Sequence, residues 1–468
     1  LVALLFYNSI FSQNIDFKGF MNFSYSKNSG KIHLEISNLD EEFLYINSLS
    51  RGIGNNDLGL DRGQLGNSRL VFFTKRGNKI FLIQPNTRYV SNSNNKLENK
   101  AVEEAFARSI LFSFDIIEEK NNKYIIDLSP LLINDAHGVA QRLKYSNSGN
   151  YTLNKSMSAI ELSRTKAFPK NIEFDVILTF TGSPLGSQVR SVTPSASNVT
   201  VNQHHSFVEL PDDNFQKRKF DPRTSSYPFI VYDYSTPIDE KLEQRYIVRH
   251  RLNKKYPDKE ISEPVEPIIY YIDNGTPEPV KSALIEGGSW WNQAFESAGY
   301  KDAFRIEILP EDADPMDVRY NLIQWIHRST RGWSYGANVV DPRTGEIIKG
   351  QVSLGSLRVR QDYMILSGLI DNPNADDNKK LIIETSLDRI RQLSAHEIGH
   401  TLGLAHNFIS SADNRASVMD YPHPKISLVD DKINIENAYA KNIGEWDKVS
   451  VKYAYSDFSN SQDESKEL

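Results

Sequence analysis

The 468-residue sequence contains no cysteine. That absence excludes disulfide scaffolds, thiolate zinc ribbons, iron–sulfur clusters and thiol nucleophiles, and leaves His, carboxylates, Tyr, amides or water as metal ligands. Neither sign of charge dominates. With 54 Lys plus Arg against 60 Asp plus Glu and a net charge of -6, the surface suits a soluble protein and gives no basis for a nucleic-acid partner. Glycine and proline, 25 and 20 residues, are too few for a fibrous or low-complexity chain. The apolar stretch at residues 1–11 (LVALLFYNSIF) is too short to span a bilayer. Followed by Ser12, Gln13 and Asn14, it reads as the later part of a secretory leader, with a buried first strand as the alternative. Residues 1–14 are therefore expected to be a residual signal peptide. The mature protein is expected to lack a transmembrane segment and to be exported, to a periplasmic, outer-membrane-associated or extracellular destination.

The length suits two or three domains. Residues 15–206 read as a β-rich N-terminal domain, with β-branched and aromatic runs at 23–34, 69–73, 79–83, 123–128 and 173–181 separated by turns such as Ser29-Gly30 and Gly77-Asn78. One helix is expected among them, over residues 102–112 (VEEAFARSILF), from early acidic residues and helical apolar spacing. Residues 51–66 (RGIGNNDLGLDRGQLG) hold five glycines without phosphate-loop spacing and read as a tight connection. Adjacent His204 and His205 would face opposite sides of a strand, so a loop or surface placement is expected rather than a shared metal.

Residues 207–262, with their charge runs and scattered prolines, read as an extended connecting segment. A second domain follows over residues 263–455: a strand at 268–273, a helix at 280–297, strands at 304–309 and 318–326, and two more at 337–340 and 346–354 around the turn Asp341-Pro342-Arg343-Thr344-Gly345. The tetrapeptide DPRT also occurs at Asp221 to Thr224, a coincidence to which no function attaches. Residues 443–455 suit a final helix, and residues 456–468 are polar and read as a flexible tail.

The informative stretch is QLSAHEIGHTLGLAHNF, residues 392–408. His396 and His400 are four residues apart, so a helix brings both imidazoles to one face, and Glu397 between them can reach a metal-bound water without being a ligand. Apolar spacing over residues 382–393 gives that helix length and burial. Gly403 lets the chain leave the helix with positive φ, so that His406 can return as a third ligand. Three neutral imidazoles suit one catalytic zinc ion with an open position for water. Glu397 is then the base that takes the water's proton and returns it to a leaving group.

The pattern H-E-x-x-H-x-x-G-x-x-H, filled by His396, Glu397, His400, Gly403 and His406, resembles the extended zinc motif of metzincin metallopeptidases. Ser417-Val418-Met419-Asp420-Tyr421 is similar to the methionine turn of that clan. The resemblance implies Met419 as a packing floor beneath the ligands, Gly403 as structural support, and Tyr421 as oxyanion or metal support. Gly59 to Gly63, Gln324 to Ser329 with Gly332-Trp333, Asp341 to Gly345 and Gly444 to Lys448 are together similar to large exported zinc-dependent metalloproteases of Bacteroidetes-type bacteria with an uncharacterised N-terminal domain. The implied fold class is α+β: a β-rich N-terminal domain, then a metzincin-like zincin catalytic domain with a twisted mixed sheet and a long active-site helix. The resemblance further implies a protein or peptide substrate bound in extended form along an edge strand, for which residues 346–354 are the candidate. His327 is either a substrate contact or a strand-borne histidine held by local hydrogen bonds.

The leading reading is an exported zinc-dependent endopeptidase. A zinc hydrolase of non-peptide amide or ester bonds uses the same groups, and a surface protein-binding module with secondary or absent catalysis is the third reading. The N-terminal domain suits an inhibitory, folding or substrate-binding role, and without cysteine any latency needs a carboxylate, a histidine or steric cover.

Overall fold

The structure is a computed structural model that describes residues 14–330, 332–421 and 424–458. The leader-like residues 1–13, and residues 459–468 of the polar tail, lie outside the described residues. The chain forms two compact units that alternate along the sequence. The first gathers residues up to Ile53, Arg69–Pro85 and Arg108–Leu210; the second gathers Gly54–Ser68, Asn86–Ala107 and everything from Pro211 onward.

The first unit is built on a 13-stranded sheet whose strand pairs are antiparallel. At its centre Asn171–Pro184 pairs with Asn198–Val208, which pairs in turn with Glu42–Arg51. Alternation along these strands puts Phe43 and Phe207 5.1 Å apart, and Phe43 and Phe73 5.3 Å apart, on one face. The helix expected over residues 102–112 is corrected by the structure: the helix is Lys96–Ala105, and Ser109–Lys120 is a strand. Asn95 caps the helix by accepting from the Leu97 N–H at 3.1 Å. The β-branched and aromatic residues that follow pair with Lys79–Gln84, so tertiary strand pairing overrides the local helical spacing.

His204 and His205 are also corrected, for both are buried within the strand Asn198–Val208. They do face opposite ways. His205 hydrogen-bonds to Tyr45 and to the Leu132 carbonyl, whereas His204 lies between Glu173 and Asp175, 3.3 Å from the latter. Burial alone would discharge His204, but the two carboxylates outweigh it and raise its pKa to about 9. A raised value means that the pair's stabilisation is complete below the unfolded value near 6.5 and is lost as pH rises through about 9. The first unit should therefore lose on the order of 3 kcal/mol across that window. Thermal midpoints measured from pH 6 to 9.5 should fall steeply for the native protein; His204→Gln should start lower and vary less.

In the second unit, five strands run parallel: Arg249–His250, Glu346–Gly355, Asn321–Ile326, Ile268–Ile272 and Phe304–Ile308, in that spatial order. Tyr335–Val340 runs antiparallel to Glu346–Gly355 and pairs with no other described strand. Tyr335–Val340 is therefore an edge strand, as is Phe304–Ile308, and residues 346–354, expected at the edge, are interior. Helices Val280–Ser289, Trp291–Ser297, Asp376–Thr401 and Glu445–Tyr455 pack on this sheet through a core that includes Tyr270, Trp291, Phe295, Ile390, Ile398 and Tyr455. Within residues 207–262, Pro228–Asp233 pairs with Glu243–Ile247 and with Tyr89–Val90, and Arg249–His250 joins the main sheet. No helix among the described residues is long and apolar enough to cross a membrane.

Candidate metal centre

The helix Asp376–Thr401 starts with Asp376 and Asp377 in its first turn, favourable against the helix dipole, and becomes buried on most sides from Thr385 to its end. A helix enclosed in this way holds its side chains in place, and His396 and His400 project from one face. The chain then turns at Gly403, whose φ is 92°. A Cβ there would also lie 1.9 Å from the Val248 carbonyl oxygen, so conformation and space both require glycine. The turn is braced by Ser225 to Tyr227: Ala405 N–H donates to Ser225 O at 2.6 Å and Tyr227 N–H to Gly403 O at 2.8 Å. His406 is thereby brought back, its Nε2 3.1 Å from His400 Nε2.

One nitrogen from each of His396, His400 and His406 lies within 4.8 Å of the other two. The donor set fits zinc. Nδ1 of His396 is 2.7 Å from Val418 O, and Nδ1 of His400 is 2.8 Å from Leu404 O. A carbonyl can only accept, so each Nδ1 carries the proton and each Nε2 keeps its lone pair. Burial, helped by the neighbouring imidazoles, lowers the pKa of His396 to about 3 and of His400 to about 4, and burial also lowers that of His406 against the opposing charge of Asp420. All three are therefore neutral. A tetrahedral ion at about 2.0–2.1 Å from each nitrogen separates ligand nitrogens by roughly 3.3 Å, close to the spacing of His400 and His406.

Glu397 is 5% exposed beside this cluster. Burial pushes its carboxyl up to about 8 against the opposing charge of Arg389 and a hydrogen bond from the Gly336 backbone. Gly336 belongs to the edge strand Tyr335–Val340, and a Cβ there would meet Glu397 O at 2.3 Å and the His400 Cβ at 3.0 Å. Asn338 Nδ2 donates to His400 O at 3.2 Å. This strand lies directly on the helix, which explains the corrected edge: the sparse YGANVV sequence fits where a bulkier strand would clash.

Met419 is 1% exposed beneath the helix, where a Cβ on Gly399 would come within 2.2 Å of its sulfur. Trp291 Nε1 donates to Ala395 O at 2.8 Å from the same side. The methionine turn is itself held by Asp447, which accepts from Ser417 Oγ at 2.5 Å, Val418 N–H at 2.8 Å and Gly444 N–H at 2.9 Å. Asp447 belongs to the Gly444 to Lys448 motif, for which the sequence offered only a resemblance. The Tyr421 ring centre is 4.4 Å from that of His406, and the side chain is 59% exposed. A cavity of about 400 Å³ opens beside it, lined in part by Gln392, Arg415, Val418, Tyr421 and Tyr439.

Sequence reasoning missed Tyr227, whose hydroxyl is 3.1 Å from His400 Nδ1. It follows the first DPRT copy, where Asp221 accepts from Arg223 N–H at 2.8 Å, as Asp341 accepts from Arg343 N–H at 2.9 Å in the second. The repeated tetrapeptide is thus one turn used twice, and no spacing in the sequence links either copy to His400. His327 does not join the cluster: it is exposed, with Nδ1 2.9 Å from Ser356 Oγ.

Residues 378–468 match the family described as Met-zincin, and residues 63–255 match one described as a domain of unknown function. Neither the curated proteins nor the solved structures yield a match.

Proposed function

From a C-terminal region of metzincin type, we propose that the chain is an exported zinc-dependent endopeptidase. The observation that carries the reading is three neutral imidazoles within 4.8 Å of one another, with the Glu397 carboxyl between two of them in sequence. His396, His400 and His406 would hold the ion through nitrogen lone pairs. Bound zinc supplies Lewis acidity toward water and the scissile carbonyl. Glu397 takes the proton of the attacking water and returns it to the leaving amine. Tyr421 is the donor for the developing oxyanion. The free edge of Tyr335–Val340 supports an extended substrate through backbone hydrogen bonds, and the cavity beside Tyr421 takes one of its side chains. The leader-like composition of residues 1–11 supports export.

Metal analysis with an unbiased peptide library tests the reading. One zinc per chain is expected, with internal peptide bonds cleaved; a chelator should abolish cleavage and added zinc should restore it. Zinc retention without cleavage of any peptide, or turnover confined to non-peptide acyl bonds, would overturn the endopeptidase assignment.

A further inference from the structure

Two motifs remain outside this account: Gly59-Leu60-Asp61-Arg62-Gly63, and Gln324 to Ser329 with Gly332-Trp333. The structure joins them. Asp61 and Arg328 form an ion pair at 2.6 Å with side chains only 0% and 1% exposed. Such a pair is a poor source of stability, because desolvating both charges offsets most of their attraction; what it supplies is a fixed geometry. Asp61 also accepts from Gln64 Nε2 at 2.7 Å. Arg328 donates to Trp333 O at 2.9 Å, and its guanidinium lies 5.8 Å from the Tyr335 ring centre. Around them, Ser329 N–H donates to Gly54 O at 2.8 Å, and Gln351 Nε2 to Gly63 O at 2.7 Å. Leu58 and Leu60 are buried, so the whole segment is anchored.

Everything that Arg328 holds leads into the edge strand. Trp333 and Tyr335 precede Gly336, whose backbone hydrogen-bonds to Glu397 and whose lack of a side chain lets the strand lie on the helix. We infer that Gly54–Ser68 is a working part of the cleft, with Asp61 a positioning residue that acts through Arg328 to set Tyr335–Val340 against Glu397. This rests on the endopeptidase reading for its catalytic consequence. It also means that Gly54–Ser68 is not part of a removable latency segment, because excising it would take away a strut of the catalytic unit.

The test uses the full chain with Asp61→Asn, which leaves Arg328 buried without its counter-charge, and the double variant Asp61→Leu/Arg328→Met, which replaces both charged groups by apolar ones. The double variant should stay folded, with native zinc content and a thermal midpoint close to native. Its kcat on a library-selected peptide should fall about 10–100-fold, since a displacement near 1 Å is enough for such a loss. Hydrogen exchange of the amides at 335–340 should quicken at least about tenfold, the signature of a strand that opens more readily. A folded double variant with native kcat, or with native exchange in that strand, would overturn the inference. If the native chain cleaves no peptide, the endopeptidase reading fails on its own, and the positioning role then stands or falls on the exchange result alone.

Discussion

Replacing Glu397 with Gln should lower peptide turnover by about 10²–10⁴-fold while zinc content stays at one per chain. The side chain is not among the three clustered nitrogens, so removing its charge leaves the metal ligands intact. The amide keeps the shape of the carboxyl and its contact with the Gly336 backbone, but it can neither accept the proton of the attacking water nor return one to the leaving amine. The loss should appear in kcat, with peptide KM changing little, because the edge strand and the cavity beside Tyr421 are untouched. Steady-state kinetics with metal analysis on the same sample check this. A variant that keeps more than about a tenth of native kcat would remove Glu397 from the role of base.

The second large effect is expected far from the ligands in sequence. Asp447→Ala should cost about 3–5 kcal/mol, because the hydroxyl of Ser417 and the N–H groups of Val418 and Gly444 would lose their acceptor in a buried site. Val418 is also the residue whose carbonyl holds His396, so zinc affinity should fall with stability. Asp447→Asn should be far milder. Both N–H donors point at Oδ2, which the amide oxygen can replace, while the amide nitrogen can donate to Ser417 Oγ. Burial raises the Asp447 carboxyl to about 6, so its ionisation at neutral pH opposes folding, and the Asn variant is free of that cost. Thermal midpoints and competitive zinc titration of the two variants separate the outcomes. Equal loss in both would show that charge, rather than the hydrogen-bond acceptors, holds the turn.

The legibility of these features follows their range along the chain. His396, Glu397, His400, Gly403 and His406 could be read because helix periodicity and one glycine turn determine their arrangement within eleven residues. Met419 could be placed by its order after them. The broad division into a β-rich part and a helix-bearing part was legible as well, through alternation and spacing. Other features depend on strand pairing that local patterns do not encode. The burial of His204 arises from Glu173 and Asp175 on a neighbouring strand, and the helix Lys96–Ala105 ends where residues 109–120 find a partner at Lys79–Gln84. Residues 346–354 are the more strand-like half of their hairpin, whereas the half left at the edge is the one thin enough to rest on the helix. Tyr227 and Asp447 reach the centre from 173 and 29 residues away, through contacts with His400 and Val418 that no local pattern announces.

The ion pair of Asp61 and Arg328 spans 267 residues. During synthesis the segment that contains Asp61 leaves the ribosome first, and its partner follows only after Arg69–Pro85 and Arg108–Leu210 of the first unit have been made. Closing so long a loop is entropically costly until other contacts have shortened it. The nascent chain therefore carries this junction open until Arg328 has emerged, and His396, His400 and His406 follow it.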